Sequence, residues 1–281
     1  MDKADISEFE GAEIRALDLA RPGDVMAFMA DKRPDAIISC LASRTGAPRG
    51  AEAVDFMANL NLLAGANAAR VRHFVLLSAI CVQRPHLAFQ RAKLKFEAQL
   101  IASYLDYTIV RPTAFFKSLS GQVKRVAQGK PFLIFGNGEL TRCKPISDAD
   151  LARFIANTLT DPLARGAVLP IGGPGPAISS KEQGELLFEL AGKEPRFTSV
   201  PVWMFDVAAG VLGLGAPFSG WLTEKAEYAR IAKYYATQSM LVLDPETGEY
   251  DADATPEFGS DTLRDHYAAL LSDIVIAQSV A

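Results

Sequence analysis

The sequence predicts an α/β fold, a parallel sheet flanked by helices. Two observations predict it. Short apolar runs alternate with longer amphipathic ones, and three strand-helix units follow one another before Pro112, an order that calls for right-handed parallel crossovers. AEIRALDL, residues 12–19, reads as a strand ending at Asp18, and PGDVMAFMADK as a short helix with Pro22 in its first turn. DAIISCLAS, residues 35–43, is a buried strand preceded by the breaker Pro34. A long helix over residues 52–69 places Val54, Met57, Leu60, Leu63 and Ala64 on one face. HFVLLSA, residues 73–79, is a strand, residues 87–103 a helix, and DYTIVRP, residues 106–112, a strand stopped by Pro112.

After Pro112 the alternation loosens. Residues 118–128 and 148–160 read as helices, the second with Ser147 as N-cap, and AVLPI, residues 167–171, as a last core strand. Ser179 and Glu182 form a capping box for a helix reaching Leu190, and the GNG of residues 136–138 is a tight turn. From Pro195 onward the chain is helical, with a strand signal at SMLVLD, residues 239–244.

Composition removes whole classes of function. The 281 residues are 49% hydrophobic and carry 29 Lys and Arg against 33 Asp and Glu, a net charge of -4, with no basic run to grip a phosphate backbone. Nucleic acid is therefore not an expected partner, and a chain this apolar is not disordered. Cys40, Cys81 and Cys143 are odd in number and scattered, which argues for reduced thiols in a cytoplasmic protein and against a thiolate metal site; no metal ligand set is expected. The acidic start MDKADISEFEG shows neither a secretory nor a transit pattern. The apolar stretch from Val200 to Leu222 contains Asp206, Pro201 and Pro217, and a carboxylate at mid-membrane costs about 3 kcal/mol, so it reads as a pocket cover or an interfacial patch rather than a span.

An open parallel sheet binds ligands at the carboxyl ends of its strands. That selects Asp18, Cys40 to Arg44, Ser78 to Cys81, and Pro112 to Lys117, with Lys93 on the helix beside the same edge. Together with an F-Q-R-A-K segment, Phe89 to Lys93, and Asp55 and Asn59 four residues apart, these resemble the atypical short-chain dehydrogenases, an NmrA-like NAD(P)-binding family whose usual motif is Tyr-x-x-x-Lys. Within it, HFVLLSAICVQRPHLAFQRAKLKFEAQLIAS, YTIVRPTAFFKSLSGQVKRVAQGKPFLIFGNGELTRCKPISDADLA, LPIGGPGPA and YYATQSMLVLD are similar to the divinyl chlorophyllide 8-vinyl-reductases.

The resemblance implies a Rossmann-type doubly wound parallel sheet, over residues 1–172, and a smaller, mainly helical substrate region, over residues 173–281. It implies NADPH as cofactor and a 3,8-divinyl chlorophyllide or protochlorophyllide as substrate, in chlorophyll or bacteriochlorophyll synthesis. Lys93 and Ser78 become the catalytic candidates. Asp18, Cys40, Leu41, Ala42, Ser43, Lys93, Pro112 and Thr113 become cofactor candidates; Phe89, Phe115, Phe116 and Lys117 become substrate candidates. Each has a plainer alternative: Asp18 starts the next helix, Ser78 is a turn residue, Lys93 and Lys117 are solvated charges, Phe115 and Phe116 are core. Asp55 and Asn59 read as holding backbone between helix and sheet. The membrane role of the Val200–Leu222 stretch would be peripheral, at a photosynthetic membrane.

Two departures shape the reading. Phe89 stands at the Tyr position, and a phenyl ring transfers no proton, which disfavours carbonyl reduction but not hydride addition to a conjugated vinyl group. No glycine-rich turn precedes Asp18, so the first strand-helix-strand unit of such a sheet is expected to be missing. GGPGPA, residues 172–177, is a decoy for it, because Pro174 and Pro176 lack the amides a phosphate needs. The rival readings are another dehydrogenase acting on a C=C bond and a non-catalytic dinucleotide sensor.

Overall fold

The computed structural model describes Phe9 and residues 11–215 and 219–279; the first eight residues, Glu10 and, within the apolar stretch, Pro217 lie outside them. Pro22 opens α1 (Pro22–Lys32), which Arg33 closes in the left-handed region at φ 44. Then come β1 (Ala36–Ser39) and α2, a continuous run built of a turn, Pro48–Gly50, a π-helical stretch, Ala51–Ala58, and an α-helix, Asn59–Ala69. β2 (His73–Leu77), α3 (Ala88–Ile101) and β3 (Asp106–Pro112) complete the regular alternation.

The rest is shorter-grained. The helix expected over residues 118–128 is split into α4 (Phe116–Leu119), a 3-10 turn and α5 (Val123–Ala127), where Ser120 Oγ donates to Phe116 O instead of leaving the backbone a regular helix partner. There follow β4 (Phe132–Phe135), β5 (Arg142–Cys143), α6 (Asp148–Thr158), β6 (Ala167–Ile171), β7 (Ile178–Ser179), α7 (Ser180–Leu190) and β8 (Phe197–Val200). The chain ends with α8 (Trp203–Gly215), α9 (Gly220–Thr237), β9 (Val242–Leu243), β10 (Tyr250–Asp251) and α10 (Leu263–Ser279). Both expected caps form: Ser147 Oγ accepts from Asp150 N at 2.9 Å, and Ser179 and Glu182 bond reciprocally at the start of α7.

The main sheet is parallel, in the order β1-β2-β3-β6. Its side chains alternate between two cores. Phe74, Leu76 and Ile109 face α1, α2 and α3; Val75, Val110 and Ile171 face α6. Burial on both faces is what makes these strands read as unbroken apolar runs. Pro170 fits because β6 is an edge strand that pairs only with β3. A further core, built on Phe116, Phe132, Phe188 and Tyr267, joins α4, α5 and β4 to α7 and α10, so it draws on both sides of residue 172.

The strand expected at residues 12–19 does not form. A strand exists through its ladder, and among the described residues nothing pairs with this segment; Leu17 and Leu19 merely lie against the core, and Asn61 Nδ2 donates to Leu19 O at 2.8 Å. The strand signal at residues 239–244 shrinks to β9. The short strands β4 and β8, parallel partners in register Phe132 to Phe197, carried no clear signal because turns interrupt them on both sides.

Candidate active site

At the carboxyl edge of β2 and β3, the loops that follow them meet β5, β7 and α9 around a cavity of about 390 Å³. Ser78 to Cys81 and Pro112 to Phe115 form one wall; Arg142, Cys143, Ile178 and Gln183 another; Tyr235, Gln238 and Met240 the third. The lining is mostly apolar with a few convergent polar groups, the usual make-up of a small-molecule site.

Beneath the cavity lies a buried ionic group absent from the sequence reading. Ser78 Oγ donates to Glu97 Oε1 at 2.5 Å, and the Arg111 guanidinium closes on the same carboxylate, Nε reaching Oε1 at 3.3 Å. Glu97 is 2% exposed, so its charge is viable only with this pairing. Ser78 has spent its proton on Glu97 and turns lone pairs, not a donor, to any other neighbour. A signal for this group did exist: Lys93, Glu97 and Leu100 share the buried face of α3, and charged residues on an apolar stripe ask for partners.

Lys93 lies outside the cavity wall, at the neighbouring strand end. Its ammonium meets Asp55 Oδ1 at 3.1 Å, both groups buried, while Asp55 Oδ2 accepts from Ser43 N at 3.2 Å. Asp55 sits on the π-helical stretch, where the extra residue per turn re-aims side chains, and Oδ1 makes no hydrogen bond of good geometry. Asn59 accepts from Ser39 Oγ at 2.5 Å and donates to Asp55 O at 3.1 Å. Asn59 thus ties the end of β1 and Asp55 ties Ser43 to α2, and Cys40 and Ala42 remain exposed between these two anchors.

The other sequence candidates are placed as follows. Asp18 accepts from Ala20 N at 3.0 Å and pairs with Arg21 at 3.3 Å, in the turn that starts α1. Thr113 Oγ1 donates to Lys144 O. Phe115 lines the cavity, but Phe116 is buried in the core of α4, α7 and α10, against His266 at 5.3 Å. Lys117 is exposed. Phe89 packs between the loop after β1 and α9: a Cβ on Gly46 would lie 3.1 Å from Phe89 Cδ1 and 3.0 Å from Ile231 Cδ1. Leu41 packs on the same core as Phe89.

The strand-end loop, the Lys93 ammonium and the underused Asp55 carboxylate suit the nicotinamide-ribose half of a dinucleotide. A phosphate cradle is not found among the described residues. In the GGPGPA turn Gly172 N donates to Pro256 O, Gly173 N to Lys144 O and Gly175 N to Glu257 Oε2, so its amides are used internally and a carboxylate already occupies the anion position. Among the described residues no His, Cys, Asp and Glu cluster could hold a metal.

A family model described as NAD(P)H-binding matches residues 2–162. A divinyl chlorophyllide a 8-vinyl-reductase of Zea mays is 46% identical over 282 residues, covering 98% of this chain and 70% of its own. The chain belongs to the divinyl chlorophyllide a 8-vinyl-reductase family. The enzyme of that name from Cucumis sativus is 52% identical over 251 residues, covering 88% of this chain. Both relatives are described as chloroplastic, and the chain spans 60% of the length of the Cucumis sativus member. Among solved structures, an NADPH-dependent quinone oxidoreductase of Escherichia coli, complexed with NADPH, superposes with a TM-score of 0.66 at 15% identity, covering 94% of this chain and 85% of its own, which shows the Rossmann-like fold.

Proposed function

We propose that this protein reduces the C8 vinyl group of 3,8-divinyl chlorophyllide or protochlorophyllide to ethyl, with NADPH as reductant, in chlorophyll or bacteriochlorophyll synthesis. The observation that carries the reading is family membership across 98% of the chain. A reduced nicotinamide supplies the hydride. In support, the cavity lies at the sheet edge where such a cofactor binds, its walls are apolar, and the Tyr of the usual motif is Phe89, so the site lacks the proton relay of a carbonyl reductase.

On this reading Lys93, held by Asp55, binds the ribose hydroxyls, with Cys40, Leu41, Ala42 and Ser43 along the cofactor and Pro112 and Thr113 at its nicotinamide end. Ser78 orients rather than donates, since its proton rests on Glu97. Phe115 packs on the macrocycle, Phe89 and Phe116 shape the wall from behind, and Lys117 faces the propionate. Asp18 is placed near the adenine. The division of labour, residues 1–172 for cofactor and 173–281 for substrate, belongs to the same proposal.

A membrane contact is also part of it. No helix of the described residues is long and apolar enough to cross a membrane. On α8, Trp203, Val207, Val211 and Leu214 recur at helical spacing and are all exposed, with Trp221 exposed on α9. We infer that this stripe rests on the lipid surface from the aqueous side. Loss of liposome cosedimentation in the W203S/V211S double variant is expected; unchanged cosedimentation would sink the idea.

The deciding experiment mixes the full-length protein with divinyl chlorophyllide and either NADPH or NADH. A blue shift of the Soret band and a monovinyl product by chromatography, faster with NADPH, are expected. Dinucleotide binding without product would favour the sensor reading, for which Phe89 is the motivating residue.

A further inference from the structure

Reduction of a vinyl group to ethyl needs a proton as well as a hydride, and the cavity lining narrows its source. Phe89 has none to give. Ser78 donates to Glu97, and Thr113 donates to Lys144 O. The Arg142 guanidinium is engaged by Glu139, Glu182 and Ala177 O. Cys143 is buried and directs its thiol away, at Ile178 O. Ser118 and Thr141 offer alkanol hydroxyls, far weaker acids than a phenol.

The geometry points to Tyr235 as the catalytic acid of the reaction proposed above, on which this inference rests. Tyr235 is the one tyrosine on the cavity wall. The residue is nearly half exposed, and its hydroxyl bonds to the Cys81 thiol of the same wall, a weak acceptor that holds the proton less firmly than the carboxylate and carbonyl that engage Ser78 and Thr113. Burial, with Cys81 and Tyr234 adding to it, raises the phenol above its usual range, so Tyr235 gives up its proton only to a strong base such as a carbanion on the macrocycle. Tyr234, its neighbour, does not line the cavity and donates to Cys81 O at 2.8 Å, which fixes the end of α9 against the loop after β2.

The step balances. The vinyl π bond breaks, one carbon gains a C–H bond with the hydride pair, and the other gains a C–H bond as the Tyr235 O–H bond breaks. The vinyl group is reduced and the nicotinamide oxidised, while the macrocycle spreads the transient negative charge. The phenolate recovers its proton from water.

The test compares the full-length protein with its Y235F and Y228F variants, Tyr228 being an exposed residue of the same helix. Y235F is expected to lower kcat by about 10²-fold or more, as loss of a general acid does, and to enlarge the solvent deuterium effect, because the slowed proton transfer from water then limits turnover. Its dissociation constant for divinyl chlorophyllide, read by fluorescence quenching, should stay within about twofold, as should the kcat of Y228F. Independently of turnover, the thermal midpoint and the NADPH dissociation constant of Y235F should match those of the parent, which separates a lost proton donor from a lost packing contact. Retained kcat in Y235F, or a kcat lost together with chlorophyllide affinity, overturns the assignment. Absence of monovinyl product from the parent protein overturns the vinyl-reductase reading itself, and this inference with it.

Discussion

Replacing Glu97 by Ala is the sharpest structural perturbation of the site. The carboxylate is 2% exposed and holds the Ser78 hydroxyl at 2.5 Å and the Arg111 guanidinium. Without it, Arg111 keeps a positive charge on a side chain only 22% exposed, and removing one partner of a buried pair costs about 3–5 kcal/mol. The orphaned Ser78 hydroxyl adds about 1 kcal/mol or more, while the solvated part of Arg111 takes some of that back. A net loss of about 4 kcal/mol is expected, equivalent to a fall of roughly 10 °C in Tm for a chain of this size. Urea unfolding reads it as a lower midpoint at unchanged slope. The E97L/R111M double variant removes both charges and fills the space, and should recover to within about 2 kcal/mol of the parent. A single variant within about 1 kcal/mol of the parent, or a double variant no better than the single, would refute the claim that a paired buried charge anchors Ser78.

Other expectations follow from neighbouring groups. Lys93→Met strands the Asp55 carboxylate and should cost about 3 kcal/mol; adding D55N should restore stability but not NADPH affinity, which isothermal titration separates. Gly173→Ala places a Cβ 2.0 Å from Pro145 O, a backbone atom with no room to move, so a thermal melt should show a loss of at least about 2 kcal/mol. The Lys144 ammonium and the Gly175 amide hold the Glu257 carboxyl below its ordinary 4.5. That contribution is present above about pH 4.5 and is lost as pH falls through the lower folded value, so the urea midpoint should drop on acidification and drop less in E257Q.

The sheet and its helices were legible because β1, β2 and β3 are apolar on both faces and α1, α3 and α6 carry Pro, capping and periodicity signals at their ends. Local signals run out where structure depends on a distant partner. Residues 12–19 have the composition of a strand but no ladder, and β4 and β8 are strands only because they find each other across residues 132–200. The same divide runs through the site. Ser78, Thr113 and Phe115, singled out because strand ends bind ligands, line the cavity, whereas Lys93, singled out by its motif, lies outside the cavity wall. Tyr235 carried no such mark: it sits on a helix far along the chain, beside a second tyrosine, and only packing decides which of the two faces the cavity.

The cavity draws its walls from residues 78–81, 112–119, 141–143, 178–183 and 235–240, so none of it survives in a partly assembled chain. A ligand seated there acts as a clasp across the whole topology. It favours the complete fold by about 2.7 kcal/mol when present at a hundred times its Kd. A melting shift on adding divinyl chlorophyllide, the substrate proposed above, would therefore report that α9 has docked on the sheet, a readout of assembly that needs no turnover.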